Sequence, residues 1–202
     1  MNSDYSYEYE YDSFYCYRNS FVLKNKFNII DSKELKEAER EITSLRTAQA
    51  LVDRINGNFD FAHLKKIHLF LFGEIYEWAG KTRSVDISKG NQFCRCEFIE
   101  EQMDDLFRKL KKEDYLRNYE VKGELSKRLA YYLGEINAIH PFREGNGRCQ
   151  RMFIEHLSFY LDYQLDFMDI TNEEMLEASV KAFDLDYSMM EKLLEKELSK
   201  VK

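Results

Sequence analysis

The chain has 202 residues, of which 44% are hydrophobic and 33% charged, and it carries a formal net charge of -7. That length suits one domain with a substantial core, and the negative balance disfavours a direct nucleic-acid partner. One proline and eight glycines leave little turn chemistry, and no apolar run approaches the ~20 residues of a membrane span, so a helical protein without a membrane anchor is expected.

Residues 1–14 alternate tyrosine with acidic or polar residues and are expected to form a flexible acidic tail. Its lack of basic groups argues against a secretory leader. A loop anchored by Phe21, Val22 and Leu23 then leads to a first helix. Asp31 with Glu34 fits a capping box, and Leu35, Ala38, Ile42, Leu45, Ala48, Val52 and Ile55 recur at helical spacing up to Gly57-Asn58. Asp60 caps a second helix with Leu64, Ile67, Leu71 and Ile75 facing inward. His63 and His68, five apart, share no helix face and read as packing or surface residues rather than metal ligands.

Gly80 ends that helix. The run Lys81–Ile87, the turn-like Ser88-Lys89-Gly90-Asn91 and the return Phe93–Cys96 predict a β-hairpin. In a helical protein its edge is exposed and can pair with an extended peptide. Cys94 and Cys96 lack zinc-site spacing and, with Cys16 and Cys149, read as free thiols. Further helices are expected over 97–113, 122–138, 146–162, 171–183 and 186–200.

From the end of the 122–138 helix into the start of the 146–162 helix runs His140-Pro141-Phe142-Arg143-Glu144-Gly145-Asn146-Gly147-Arg148-Cys149-Gln150-Arg151. A glycine-containing loop that opens a helix is an anion site. The first turn has N–H groups without intrahelical acceptors, and the peptide dipoles add positive charge there. Arg148 and Arg151, three apart on one face, suit a di- or triphosphate. Glu144 offers a hard oxygen ligand for Mg²⁺ beside that phosphate. His140, expected to titrate near neutral pH, suits a general base.

The stretch resembles the Fic family signature, His-Pro-Phe-x-[Asp/Glu]-Gly-Asn-Gly-Arg-x-x-Arg, at every specified position. The similarity runs from about Tyr15 to about Tyr163, and Arg83–Asn91 resembles the family's flap hairpin. The resemblance implies an all-α Fic-fold helical bundle with a small β-hairpin flap over the active site. Residues 15–202 would form a single domain, with a core over about 32–163 and C-terminal packing helices over about 171–200. The implied activity is that of a protein adenylyltransferase, which moves AMP from ATP to a Ser, Thr or Tyr hydroxyl of a target protein.

In the roles that follow from the resemblance, His140 is the base and Glu144 holds Mg²⁺. Gly145, Asn146, Gly147, Arg148 and Arg151 bind the ATP phosphates, and Phe142 anchors the loop. Ser84, Val85, Asp86, Ile87, Ser88, Lys89, Gly90 and Asn91 form the target-docking flap. A phosphotransfer relative carries lysine at the position of Gly147, so AMP transfer is favoured over phosphate transfer. A catalytically silent nucleotide-binding interaction module is the remaining alternative.

Many relatives carry an inhibitory Ser/Thr-x-x-x-Glu-Gly/Asn helix whose glutamate pairs with the motif's second arginine, here Arg151. The only Glu-Gly step in this chain is Glu144-Gly145, there is no Glu-Asn step, and Ser6-x-x-x-Glu10 is followed by Tyr11. Inhibition in trans by a small antitoxin protein is therefore expected. Type II topoisomerases are candidate targets by the same resemblance. The expected location is the bacterial cytoplasm, with a secreted effector as the alternative.

Overall fold

The structure is a computed structural model that describes residues 12–201, so most of the expected tail, residues 1–11, lies outside the described residues. Residues 12–14 already belong to the folded body. Asp12 accepts a hydrogen bond from the Phe14 amide and lies 3.8 Å from the guanidinium of Arg143. Among the described residues there are seven α-helices: α1 Ser32–Val52, α2 Phe61–Phe72, α3 Ile99–Lys112, α4 Lys122–Ile139, α5 Asn146–Tyr160, α6 Asn172–Phe183 and α7 Ser188–Glu197. The expected all-α bundle with a small hairpin is what forms.

The bundle is organised around α4, which packs on α3, α5, α6 and α7. Its Leu125, Leu129, Leu133 and Ile136 are buried against Phe153, Ile154 and Leu157 of α5 and the neighbouring core. Burial of such side chains stabilises by roughly 1.5–3 kcal/mol each before entropy is counted, which is ample to fix the α4–α5 corner. Two chain starts are as expected. Asp31 accepts from the Lys33 and Glu34 amides, and Asp60 accepts from the His63 amide. Thr171 and Glu174 form a reciprocal capping box at α6.

Several expectations need correction. The first helix stops at Val52, before Gly57, and Ile55 is buried beyond its end. Its inner face is also rotated: Leu45 and Val52, expected inside, point outward, while Thr43 is buried. The inward stripe Leu35, Glu39, Thr43 and Ala50 is partly polar because Glu39 and Thr43 hold Arg148. An apolar-periodicity count cannot see that.

The hairpin is much shorter than expected. Strand β1 (Ser88–Lys89) pairs with β2 (Asn91–Gln92) in antiparallel register, Ser88 with Gln92 and Lys89 with Asn91. Gly90, at φ +74, makes the turn alone, so part of the expected turn is the ladder itself. The last helix ends at Glu197. Leu198–Lys200 (β4) instead pairs with Tyr163–Leu165 (β3) in a second small sheet that the helical periodicity did not reveal.

Candidate active site

The corner between α4 and α5 is built by conformation before chemistry. Helix α4 ends with His140 in the left-handed region (φ 53, ψ 63), and Pro141 then forbids further helix. Phe142 is buried and lies flat on the ring of His68 from α2, with centroids 3.9 Å apart. Asn146 braces the loop from inside: its Oδ1 accepts from the Phe142 amide at 2.9 Å and its Nδ2 donates to the Phe142 carbonyl at 2.7 Å. Gly145 sits at φ +80, where a Cβ would fall 2.2 Å from the Phe72 ring. Only glycine fits there.

Asn146, expected among the phosphate ligands, turns its carboxamide onto the loop, with Oδ1 and one of the two Nδ2 hydrogens engaged there. The same inward bracing involves His68. Its Nε2 donates to the Glu144 carbonyl at 2.9 Å while its Nδ1 accepts from the Gly80 amide at 2.8 Å. A ring that donates at one nitrogen and accepts at the other is neutral, and burial holds its pKa down at about 3.

His140 is buried and its tautomer is set by the backbone. Nδ1 lies 3.0 Å from the Asn137 carbonyl, which can only accept, so Nδ1 carries the proton and Nε2 the lone pair. Phe93 stacks on the imidazole with centroids 3.8 Å apart. Burial pulls the His140 pKa down to about 3, against the Asn137 hydrogen bond and with help from the Arg83 and Lys89 charges. The expected titration near neutral pH is therefore corrected: with its pKa held at about 3, the ring is neutral throughout the physiological range.

Next to it, α5 opens the anion site. The two arginines differ. Arg148 is bound to α1, donating Nη1 to Thr43 Oγ1 at 3.0 Å and Nη2 to Glu39, whose other oxygen accepts from Tyr76. Arg151, also largely buried, makes no hydrogen bond or ion pair among the described residues. Burial and the neighbouring Arg148 charge push its pKa down. A guanidinium so placed can take an anion in charge-assisted hydrogen bonds. A Cβ on Gly147 would come within 3.3 Å of Arg151 Nη1, so glycine there keeps the space beside it open.

Glu144 Oε1 accepts from the Gly145 amide at 2.9 Å and lies 3.9 Å from Arg148. Burial, and then the charge of Glu39, raise its pKa. Among the described residues no cluster of three or more His, Cys, Asp or Glu could hold a metal by itself. One under-compensated carboxylate beside an anion site nevertheless fits Mg²⁺, which commonly takes one or two carboxylates and completes its shell with phosphate oxygens and water.

These groups share one pocket of 430 Å³ that His140, Glu144, Gly145, Gly147, Arg148 and Arg151 line together. Of the expected flap residues, Lys89 and Asn91 reach this pocket; Ser84, Val85, Asp86, Ile87, Ser88 and Gly90 do not line it. Ile87 is buried, and Asp86 accepts from the Cys96 amide at 2.6 Å at the hairpin's base. Phe142 supports the loop from behind. The far wall comes from α6: Met175, Leu176, Val180 and Phe183 give an apolar face of a size that suits a base or a sugar edge.

The functional-site candidates that sequence reasoning missed are Glu39, Thr43, His68, Arg83, Phe93 and the α6 wall. Two of them left a trace. His68 interrupts an otherwise apolar stripe, and Arg83 is a charged residue at the head of a β-branched run. The others show no signal short of the three-dimensional arrangement.

Residues 58–158 match the model of the Fic/DOC family. The "Probable protein adenylyltransferase y4lH" of Sinorhizobium fredii is 42% identical over 172 residues, covering 85% of this chain and 88% of that protein. Among solved structures, the N-terminal Fic domain of a VirB-translocated Bep effector protein from Bartonella quintana, with bound ADP, superposes with a TM-score of 0.89. It is 31% identical, and the match covers 95% of this chain and 97% of that one. The BepC effector protein of Bartonella tribocorum, with bound AMPPNP, gives a TM-score of 0.87 at 28% identity, covering 95% and 99%.

Proposed function

This chain belongs to the Fic/DOC family, and from that premise we propose that it is a protein adenylyltransferase that transfers AMP from ATP to a Ser, Thr or Tyr hydroxyl of a target protein. The observation that carries this reading is a single pocket that holds a neutral imidazole, a helix N-terminus and two guanidiniums. The adenine nucleotides bound to two similar solved structures support ATP as the donor.

The α- and β-phosphates lie over the first turn of α5, where the backbone N–H groups of Asn146, Gly147 and Arg148 face them. Arg148 enters from a fixed position because Glu39 and Thr43 hold it. Arg151 takes the terminal phosphate, and the apolar wall of α6 takes the nucleoside. A target hydroxyl held along the flap attacks the α-phosphorus. The new oxygen–phosphorus bond forms, the bond to the β-phosphate breaks, and pyrophosphate leaves. His140 Nε2 accepts the hydroxyl proton, and the triphosphate's negative charge raises the pKa of the imidazole as it does so. Glu144 would hold Mg²⁺, which when bound neutralises charge on the leaving phosphates. Positioning and charge stabilisation supply most of the rate in such a reaction.

Gly147 favours AMP transfer over a phosphotransfer variant, since the phosphotransfer relative of the motif carries lysine at that position. Regulation in trans is part of the same proposal: the guanidinium of Arg151, which has no ion pair among the described residues, suits a carboxylate from a small antitoxin partner. A bacterial cytoplasmic location and a type II topoisomerase target complete the proposal. Among the described residues no helix is long and apolar enough to cross a membrane.

The test is incubation with α-labelled and, separately, γ-labelled ATP, Mg²⁺ and bacterial lysate, with His140→Ala as control. Label that moves only from the α-phosphate, and not in the mutant, is expected. Label that moves only from the γ-phosphate would replace the reading with phosphotransfer. Nucleotide binding without any transfer, with the target and metal supplied, would favour the silent module.

A further inference from the structure

We propose that Arg83 is a positioning residue that binds the two limbs of the flap and the backbone of His140 into one unit, so that flap and base move together. The proposal rests on the roles given above to His140 and the flap, and it adds the residue that joins them.

The side chain of Arg83 has 0% relative exposure, yet its nearest carboxylate, on the exposed side chain of Asp86, is 3.8 Å away. Carbonyl oxygens surround it instead. Nε donates to the His140 carbonyl at 2.8 Å and Nη1 to the Val85 carbonyl at 2.6 Å. Nη2 donates to the carbonyls of Cys94 and, at 3.3 Å, Ile139. Val85 lies on the outgoing limb of the flap and Cys94 on the return limb, while Ile139 and His140 are the C-terminal end of α4. The backbone amide of Arg83 adds a bond to the Pro141 carbonyl at 2.9 Å.

Burying a guanidinium is costly unless its donors are satisfied. Here the negative end of the α4 dipole and the orphan carbonyls of its last turn compensate the charge. The planar fork of arginine can reach carbonyls on three segments at once, which an ammonium cannot do in the same geometry. The bond to the His140 carbonyl also secures a non-glycine residue in the left-handed region, a conformation that persists only where its surroundings over-determine it.

Two further contacts tie the same parts together. The Cys94 amide donates to the Ala138 carbonyl at 3.2 Å, and Phe93, on the return limb, stacks on the His140 ring. A target strand that shifts the flap edge therefore acts on the carbonyl and the ring face of His140. The consequence is a base whose orientation depends on the flap.

Arg83→Lys keeps the charge and loses the fork. In the full-length chain it is expected to lower kcat for transfer about 100-fold, the usual loss for a base misplaced by about 1 Å, while leaving ATP affinity measured by calorimetry unchanged. Amide exchange should rise together at 85–94 and at 138–142, and the His140 ring resonances should shift as the Phe93 stack loosens. Unaltered kcat in the folded variant, or increased exchange confined to the flap, would overturn the proposal. If Arg83→Lys does not fold, native-state exchange of the wild-type chain decides: the Phe93, Cys94 and His140 amides should open in one step with one opening free energy, and separate openings would refute the link. The exchange and resonance readouts need no transfer activity, so a failure of the proposed enzyme function is distinguishable from a failure of this inference.

Discussion

The loop around His140 and the ground around Arg151 lie side by side at the start of α5, and they are built on opposite principles. In the loop, polar groups are committed. Asn146 brackets Phe142, His68 joins Glu144 to Gly80, and the His140 ring is oriented by Asn137 and Phe93. At Arg151 a guanidinium waits without an ion pair among the described residues, on a helix whose other arginine is already held by Glu39 and Thr43. The committed region fixes geometry, and the uncommitted one takes ligand. Asn146 belongs to the first region by its side chain, which holds both the amide and the carbonyl of Phe142.

The largest expected effect comes from breaking the committed side. His68→Leu leaves the Glu144 carbonyl and the Gly80 amide without their partner, and two such orphaned groups cost about 2–6 kcal/mol together. A denaturant midpoint close to wild type would show that the loop does not depend on His68. Acid tests the same region through burial. His68 and His140, held at about 3, and His156, held at about 4, all lie below the ordinary value near 6.5. At pH 7 these rings are neutral in the folded chain and roughly three-quarters neutral in the unfolded one. Below about pH 6.5 the unfolded chain takes up protons that the folded chain does not, so stability falls by about 1 kcal/mol per ring by pH 5.5. Glu144 and Glu155, whose pKa values burial raises, oppose this trend as acidity increases further. Thermal melts at pH 7.5 and 5.5 should separate clearly, and superimposed melts would contradict neutral burial of the histidines.

A smaller effect sharpens the difference between the two arginines. Glu39→Gln preserves the shape of the Arg148 anchor and removes a negative charge that faces Glu144. ATP should bind a few-fold tighter, of the order of 1 kcal/mol or less for a partly exposed charge. Weaker ATP binding in calorimetry would mean that the charge of Glu39, and not just its shape, is needed to hold Arg148 in place.

The boundary between the two regions also marks what could be read without coordinates. Helix starts at Asp31 and Asp60 were legible because capping is local chemistry, and the α4–α5 corner was legible because proline and glycine punctuate it. The inner face of α1 differs from the apolar pattern because Glu39 and Thr43 turn toward Arg148, more than one hundred positions away. The hairpin was overextended because Val85 and Ile87 carry strand-like side chains, while the Val85 carbonyl is used by Arg83 and the Ile87 side chain by the core. Long-range polar contacts leave no periodic trace, and that is why the bracing residues stayed hidden while the motif they brace was plain.

The most direct test of the division is a pair of measurements on two variants, ATP affinity by calorimetry and single-turnover transfer to the identified target. His140→Ala should bind ATP as wild type does and lose about 10²–10⁴-fold in transfer rate. Arg151→Ala should lose about 10–100-fold in ATP affinity, as expected for a charge-assisted contact to phosphate worth about 1.5–3 kcal/mol. Its transfer rate from bound ATP should fall less than that of His140→Ala. The reverse pattern, with His140 needed for binding and Arg151 for the chemical step alone, would contradict the account.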